Sequence, residues 1–223
     1  MDQARWATFD CYGTLVDWNA GIRAQLARLF GLAQADGLLE RYHQIEPRIQ
    51  SESPALRYRE VMAAVLSELA SEEGLSLPEG EQDALARSLP EWPVFDEVPA
   101  ALTATHARGW KLAALSNTDR DLIDASMRAL GAPFELAIVA SEAGSYKPAH
   151  GHWQAFYEST GADPERHVHV AQSHFHDIVP ATELGIPTVW INRLGEHRDP
   201  APTRELNDLD GLADVLDGLI SAG

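Results

Sequence analysis

The sequence predicts an α/β fold with a parallel sheet, and three observations carry the prediction. Short apolar runs of strand length recur at residues 112–115, 136–139, 168–171 and 188–191, after a first β-like run that ends at Phe9. Helix-length segments at 120–130, 151–160 and 178–184 separate them, giving the alternation of a parallel sheet covered on both faces. Polar residues follow the strand-like runs, so Asp10, Ser116, Asn117, Glu142 and Gln172 fall beyond strand ends, where open α/β sheets place their ligands.

Taken in order, the first run delivers the carboxylate of Asp10 to a turn containing Gly13. From about residue 16 the pattern changes. Apolar residues fall at helical spacing, Ile22, Leu26, Leu29 and Phe30, then Val61, Val65, Leu66 and Leu69, without a strand signal, and this reads as a helical insertion. Pro90 and Pro93 bracket its return, after which 98–108 resumes as helix. The expected organisation is a Rossmann-like three-layer core from residues 1–15 and 95–223, with a helical cap, 16–94, inserted after the first strand. A cap over the strand ends closes the site and excludes water, which a reactive intermediate needs.

At 223 residues and 45% hydrophobic content, the chain can build a substantial buried centre. Its formal charge is -17, from 34 acidic against 17 basic side chains. That balance opposes nucleic acid and anionic membranes as partners, and an anionic small-molecule substrate needs a local positive site. A single cysteine, Cys11, excludes an internal disulfide framework; strand alternation turns it away from Asp10, as a buried structural thiol. With neither an apolar N-terminal h-region nor an ~18-residue apolar run, a cytoplasmic protein is expected.

Four motifs carry chemistry. They are Asp10-Cys11-Tyr12-Gly13-Thr14, Leu115-Ser116-Asn117, Tyr146-Lys147-Pro148, and the stretch from Val170 through Gln172, Ser173, His174 and His176 to Asp177. In this order, and at strand ends, they resemble the haloacid dehalogenase superfamily over nearly the whole chain. Its phosphatases carry a second aspartate two residues after the nucleophile, as general acid, whereas its 2-haloacid dehalogenases do not; this chain has Tyr12. The physical reason is the leaving group: an alkoxide needs a proton, but halide departs as a stable anion. A phenol, with an unperturbed pKa of roughly 10, substitutes poorly for a carboxylic acid. The fourth motif agrees, because magnesium draws on clustered oxygen ligands and Asp177 stands alone among Gln172, Ser173, His174 and His176. No cofactor or metal is therefore expected. Mg enters only under a phosphatase alternative, with Asp10, a backbone carbonyl and Asp177 as a partial shell.

The resemblance also implies roles. Asp10 attacks the halogen-bearing carbon to form an aspartyl ester, which water cleaves at the aspartyl carbonyl. Lys147 pairs with Asp10, and Asp177 positions or deprotonates the water. Thr14 and Ser116 orient the nucleophile and bind the substrate carboxylate, and Tyr12 borders the substrate. In the cap, Arg41, five residues before Glu46, matches the family's halide-binding arginine and pairs with Asn117 as the halide cradle. Gln172 and His174 stand where well-known 2-haloacid dehalogenases have serine and asparagine, and Trp153 where they have tyrosine. All three are assigned to substrate contact, and a tighter pocket for a very small acid such as a haloacetate is expected. Plainer readings make Arg41 a solvated charge, Trp153 a core aromatic, and His174 and His176 buried hydrogen-bonded groups. Besides the phosphatase, the alternatives are hydrolysis of another small carboxylate, such as a small-ring imino acid, and a non-catalytic binding protein. Similar dehalogenases are often dimers, which leaves a homodimer open.

Overall fold

The computed structural model describes residues 4–222, so residues 1–3 and 223 of the expected core lie outside the described residues. Six strands, β1 (Arg5–Phe9), β2 (Trp110–Ser116), β3 (Phe134–Val139), β4 (His167–Ala171), β5 (Thr188–Ile191) and β6 (Arg204–Leu206), form one sheet in the order β3-β2-β1-β4-β5-β6. All pairings are parallel. The central strands β1 and β4 are buried at every residue, as a sheet covered on both faces requires. β6 escaped expectation because Arg204-Glu205-Leu206 has no apolar run; this edge strand is held by pairing with β5.

Strand alternation divides the core. Ala7, Phe9, Val168 and Val170 face one side, where they pack with Val98 and Leu102 of α5 (Val98–Ala107) and Leu212 and Leu216 of α10 (Leu212–Leu219). Trp6, Ala113 and Leu115 face the other side, against Trp153 and Phe156 of α8 (Gly151–Thr160) and Ala181 of α9 (Val179–Glu183). The sheet also carries α6 (Arg120–Leu130) and the short α7 (Ala140–Ala143).

Between β1 and α5 the chain is helical: α1 (Trp18–Phe30), α2 (Ala35–Glu52), α3 (Tyr58–Glu72), α4 (Ala84–Ser88) and a 3-10 turn, Leu89–Glu91. Of the expected apolar stripe, Ile22, Leu26, Val61, Val65, Leu66 and Leu69 are buried in one cluster that continues into Val16, Leu122, Ile123 and Val139, while Leu29 and Phe30 are partly buried against it. This apolar continuity seats the helical layer at the strands' C-terminal ends. Two local devices fix it. Gly21 on α1 lies so close to the Trp92 ring that a Cβ would come within 2.3 Å of Cγ. Asp119, wholly buried, accepts from the Tyr58 and Arg59 amides at 3.2 and 3.1 Å and so caps α3 from the far side of the junction. No helix among the described residues is long and apolar enough to cross a membrane.

Candidate active site

The site grows out of the end of β1. Asp10 donates its amide to the Val170 carbonyl at 3.1 Å, and the chain then turns through Gly13, whose φ is 92°. A Cβ there would lie 3.0 Å from Gln172 Oε1 and 3.2 Å from Trp18 Nε1, so both the backbone and the close approach require glycine. The turn brings Thr14 back beneath the carboxylate. Its Oγ1 donates to Asp10 Oδ2 at 2.9 Å and accepts from the Gln172 amide at 2.9 Å, tying the first motif to the fourth.

Lys147 joins the two acids. Its Nζ donates to Asp10 Oδ1 at 2.9 Å, to Asp177 Oδ1 at 2.6 Å and to the Leu115 carbonyl at 2.7 Å, which uses all three ammonium donors. Asn117 holds the lysine in register: its Nδ2 donates to the Lys147 carbonyl at 3.0 Å and its Oδ1 accepts from the Lys147 amide at 2.6 Å. Burial raises the Asp10 carboxyl above its ordinary value although Lys147 pulls it down. Burial would also raise Asp177, but the Lys147 charge and the His169 hydrogen bond hold it down at about 2. Burial opposes the charge on Lys147, and the two carboxylates more than offset it, so its pKa is raised.

Among the residues lining a cavity of about 360 Å³, two keep a buried side-chain polar atom without a partner: Asp177 at Oδ2 and Ser116 at Oγ. Asp10, Tyr12, Asn117 and Gln172 also line it from the strand ends, and Lys147 from the loop between α7 and α8. Trp18, His43, Glu46, Pro47, Gln50 and Tyr58 close it from the helical layer, His176 from the helical turn His174–Ile178, and Ser173 and Arg198 from loops. Among the described residues, no group of three or more His, Cys, Asp or Glu side chains is placed to hold a metal ion. An ammonium lies between Asp10 and Asp177 and takes one oxygen of each carboxylate.

Residues 4–179 match the haloacid dehalogenase-like hydrolases. The chain belongs to this family. It is 27% identical over 237 residues to the (S)-2-haloacid dehalogenase of Pseudomonas sp. (strain YL), covering 97% of this chain and 96% of the relative. It is 28% identical over 199 residues to haloacetate dehalogenase H-2 of Moraxella sp. (strain B), covering 87% and 88%. The solved structure of the L-2-haloacid dehalogenase from Xanthobacter autotrophicus with chloropropionic acid covalently bound has the same fold, with a TM-score of 0.85 at 17% identity over 97% of this chain and 99% of that one.

Within this dehalogenase-like hydrolase, four residues expected at the substrate, Arg41, Trp153, His174 and Thr14, do not line the cavity. Arg41 points outward, 41% exposed, where it pairs with Glu72 at 2.5 Å and with Gln44; acidic neighbours on α3 hold it away from the cavity. Trp153 is wholly buried in the core beneath the sheet, edge-on to His169 with ring centroids 5.4 Å apart. His174 opens a wide helical turn, His174–Ile178, and its ring goes to the Pro200 carbonyl at 2.9 Å and the Trp190 ring. His176, two residues on, takes the cavity face instead. Thr14 holds the nucleophile from behind and does not line the cavity. Glu142, beyond β3, pairs with Arg120. Sequence reasoning missed Arg198, Glu46, His43, Gln50 and Tyr58 as lining residues. Only Glu46 had a signal, as the glutamate of the Arg41 motif.

Proposed function

We propose that this hydrolase cleaves the carbon–halogen bond of a small 2-haloacid through an aspartyl ester on Asp10, without a metal or cofactor, in a cytoplasmic setting. The observation that carries the reading is the bridge Asp10–Lys147–Asp177 beside a tyrosine that cannot serve as acid. Tyr12 Oη is engaged with Ser126 Oγ at 3.1 Å, and burial raises its pKa well above the usual phenol value. A leaving group that needs no proton suits such a site. The names of the relatives agree with it.

In the first step a carboxylate oxygen of Asp10 bonds the halogen-bearing carbon and the carbon–halogen bond breaks with loss of halide. Lys147 and Thr14 hold the carboxylate in attack geometry. In the second step a water oxygen bonds the Asp10 carboxyl carbon while Asp177 Oδ2, the open acceptor, orients it and receives a hydrogen. The ester C–O bond breaks, the departing oxygen takes that hydrogen back, and the other water hydrogen leaves to solvent. Ser116 Oγ is the free hydroxyl for the substrate carboxylate, and Asn117 keeps one amide hydrogen for the leaving halide. The cation facing the anion is Arg198 in place of Arg41. Residues 16–94 act as the cap that shuts water out.

Halide release from chloro-, bromo- and fluoro-carboxylates in the presence of EDTA tests the reading, with wild type set against Asp10→Asn. Release that survives EDTA and vanishes in the variant is expected. No halide from any acid, alongside magnesium-dependent phosphate release from p-nitrophenyl phosphate, would overturn it.

A further inference from the structure

A file of buried polar side chains runs behind the lysine bridge, on the α8 side of the sheet. Tyr157 Oη, on α8, lies 2.7 Å from His167 Nδ1, and His167 Nε2 lies 2.7 Å from Thr8 Oγ1. Thr8 Oγ1 lies 2.8 Å from His169 Nδ1, and His169 Nε2 lies 2.9 Å from Asp177 Oδ1. Thr8, His167 and His169 are wholly buried. Alternation along β4 sets both histidines on one face, and the pairing of Thr8 with His169 across β1 and β4 inserts the hydroxyl between the rings. Two imidazoles in an apolar layer are costly unless satisfied, and all four ring nitrogens have a partner.

With one hydrogen taken on each ring, the directions follow from the carboxylate end. Asp177 only accepts, so His169 donates from Nε2 and accepts at Nδ1 from the Thr8 hydroxyl. The Thr8 oxygen then accepts from His167 Nε2–H, and His167 Nδ1 accepts from the Tyr157 hydroxyl. Every donor points toward Asp177, an arrangement in which each bond polarises the next.

We propose that Thr8, His167 and His169 are positioning residues: an aligned donor chain that occupies Asp177 Oδ1, leaves Oδ2 open for the hydrolytic water, and so sets the rate of ester hydrolysis while leaving ester formation untouched. None of the three lines the cavity. The catalytic consequence rests on the function proposed for Asp177; the direction of the chain does not.

The test combines two readouts on wild type, Thr8→Val, Thr8→Ser and Tyr157→Phe, all full-length. In ¹⁵N-histidine-labelled wild type at neutral pH, long-range ¹⁵N–¹H spectra are expected to find the hydrogen of both His167 and His169 on Nε2. In Thr8→Val, His169 Nδ1 moves to the shift of a free lone pair. With 2-chloropropionate, Thr8→Val keeps the rate constant of the halide burst, turns over about fivefold to tenfold more slowly, and accumulates ester on Asp10, as loss of one polarising hydrogen bond implies. Thr8→Ser restores both readouts. Should Thr8→Val misfold, Tyr157→Phe removes only the half-buried end of the chain and is expected to free His167 Nδ1 alone. A hydrogen on His169 Nδ1 in wild type, unmoved Nδ1 shifts in both hydroxyl-deleting variants, or unchanged turnover in Thr8→Val would overturn the proposal. Wild type that releases no halide marks instead the failure of the functional reading, while the spectra still decide the chain.

Discussion

Arg198 and Arg41 illustrate how one side chain's neighbours decide its use. Both are exposed guanidiniums with acidic partners, but Arg41 lies on α2 against Glu72, whereas Arg198 borders the cavity with Glu196 at 3.0 Å. A solvated ion pair is held weakly, so an Arg198 that binds the substrate anion would give up its glutamate at little cost. Arg198→Gln is expected to raise KM for a 2-haloacid about tenfold with kcat nearly unchanged, and Arg41→Gln to leave both within about twofold; steady-state kinetics on the pair decides between the two arginines. The residues legible in the sequence, Asp10, Ser116, Lys147 and Asp177, follow strand ends and meet because the sheet is parallel. Arg198 follows no strand signal and sits in a loop, so nothing local marked it. His174 and His176 differ by two positions on a turn of unusual width, and an ordinary spacing rule does not choose between them.

At the scale of elements, α2 and α3 carry charges that report on how the helical layer meets the core. Burial pushes the Glu46 carboxyl on α2 up from 4.5 to about 7. The folded state therefore holds this proton more tightly than the unfolded chain, so the group's contribution is complete below pH 4.5 and declines as pH rises to about 7. Glu46→Gln removes the dependence, and relative to wild type it is expected to gain about 2 kcal/mol of stability between pH 5 and pH 8 in denaturant unfolding. Asp119 is the counterpart at α3. Asp119→Ala takes the cap from the helix and leaves Arg57 and Arg59 facing Asp121 alone, with an expected loss of about 1 to 2 kcal/mol by the same measurement. Helical periodicity showed that residues after 16 form helices, since that signal is local. The cap on α3 comes from a side chain some sixty positions away, and no local pattern encodes it.

On the scale of the whole molecule, a chain of formal charge -17 brings two of its 17 basic side chains to the cavity. Lys147 and Arg198 reach the same cavity from separate loops, and the acids around Lys147 are spaced so that one ammonium serves both. A parallel α/β sheet and a helical layer were readable in the alternation of apolar runs, because burial imposes that pattern along the chain; the order of the strands was not. The volume of the cavity and the histidine file behind it were not, because each depends on which side chains from distant segments come to face one another. What the account turns on is the covalent bond to Asp10. It is tested most directly by a single turnover of 2-chloropropionate in H₂¹⁸O with enzyme in excess, followed by mass analysis of the peptide containing Asp10 and of the lactate. The account predicts ¹⁸O in the Asp10 carboxylate and unlabelled lactate; ¹⁸O in the lactate with Asp10 unlabelled would contradict it.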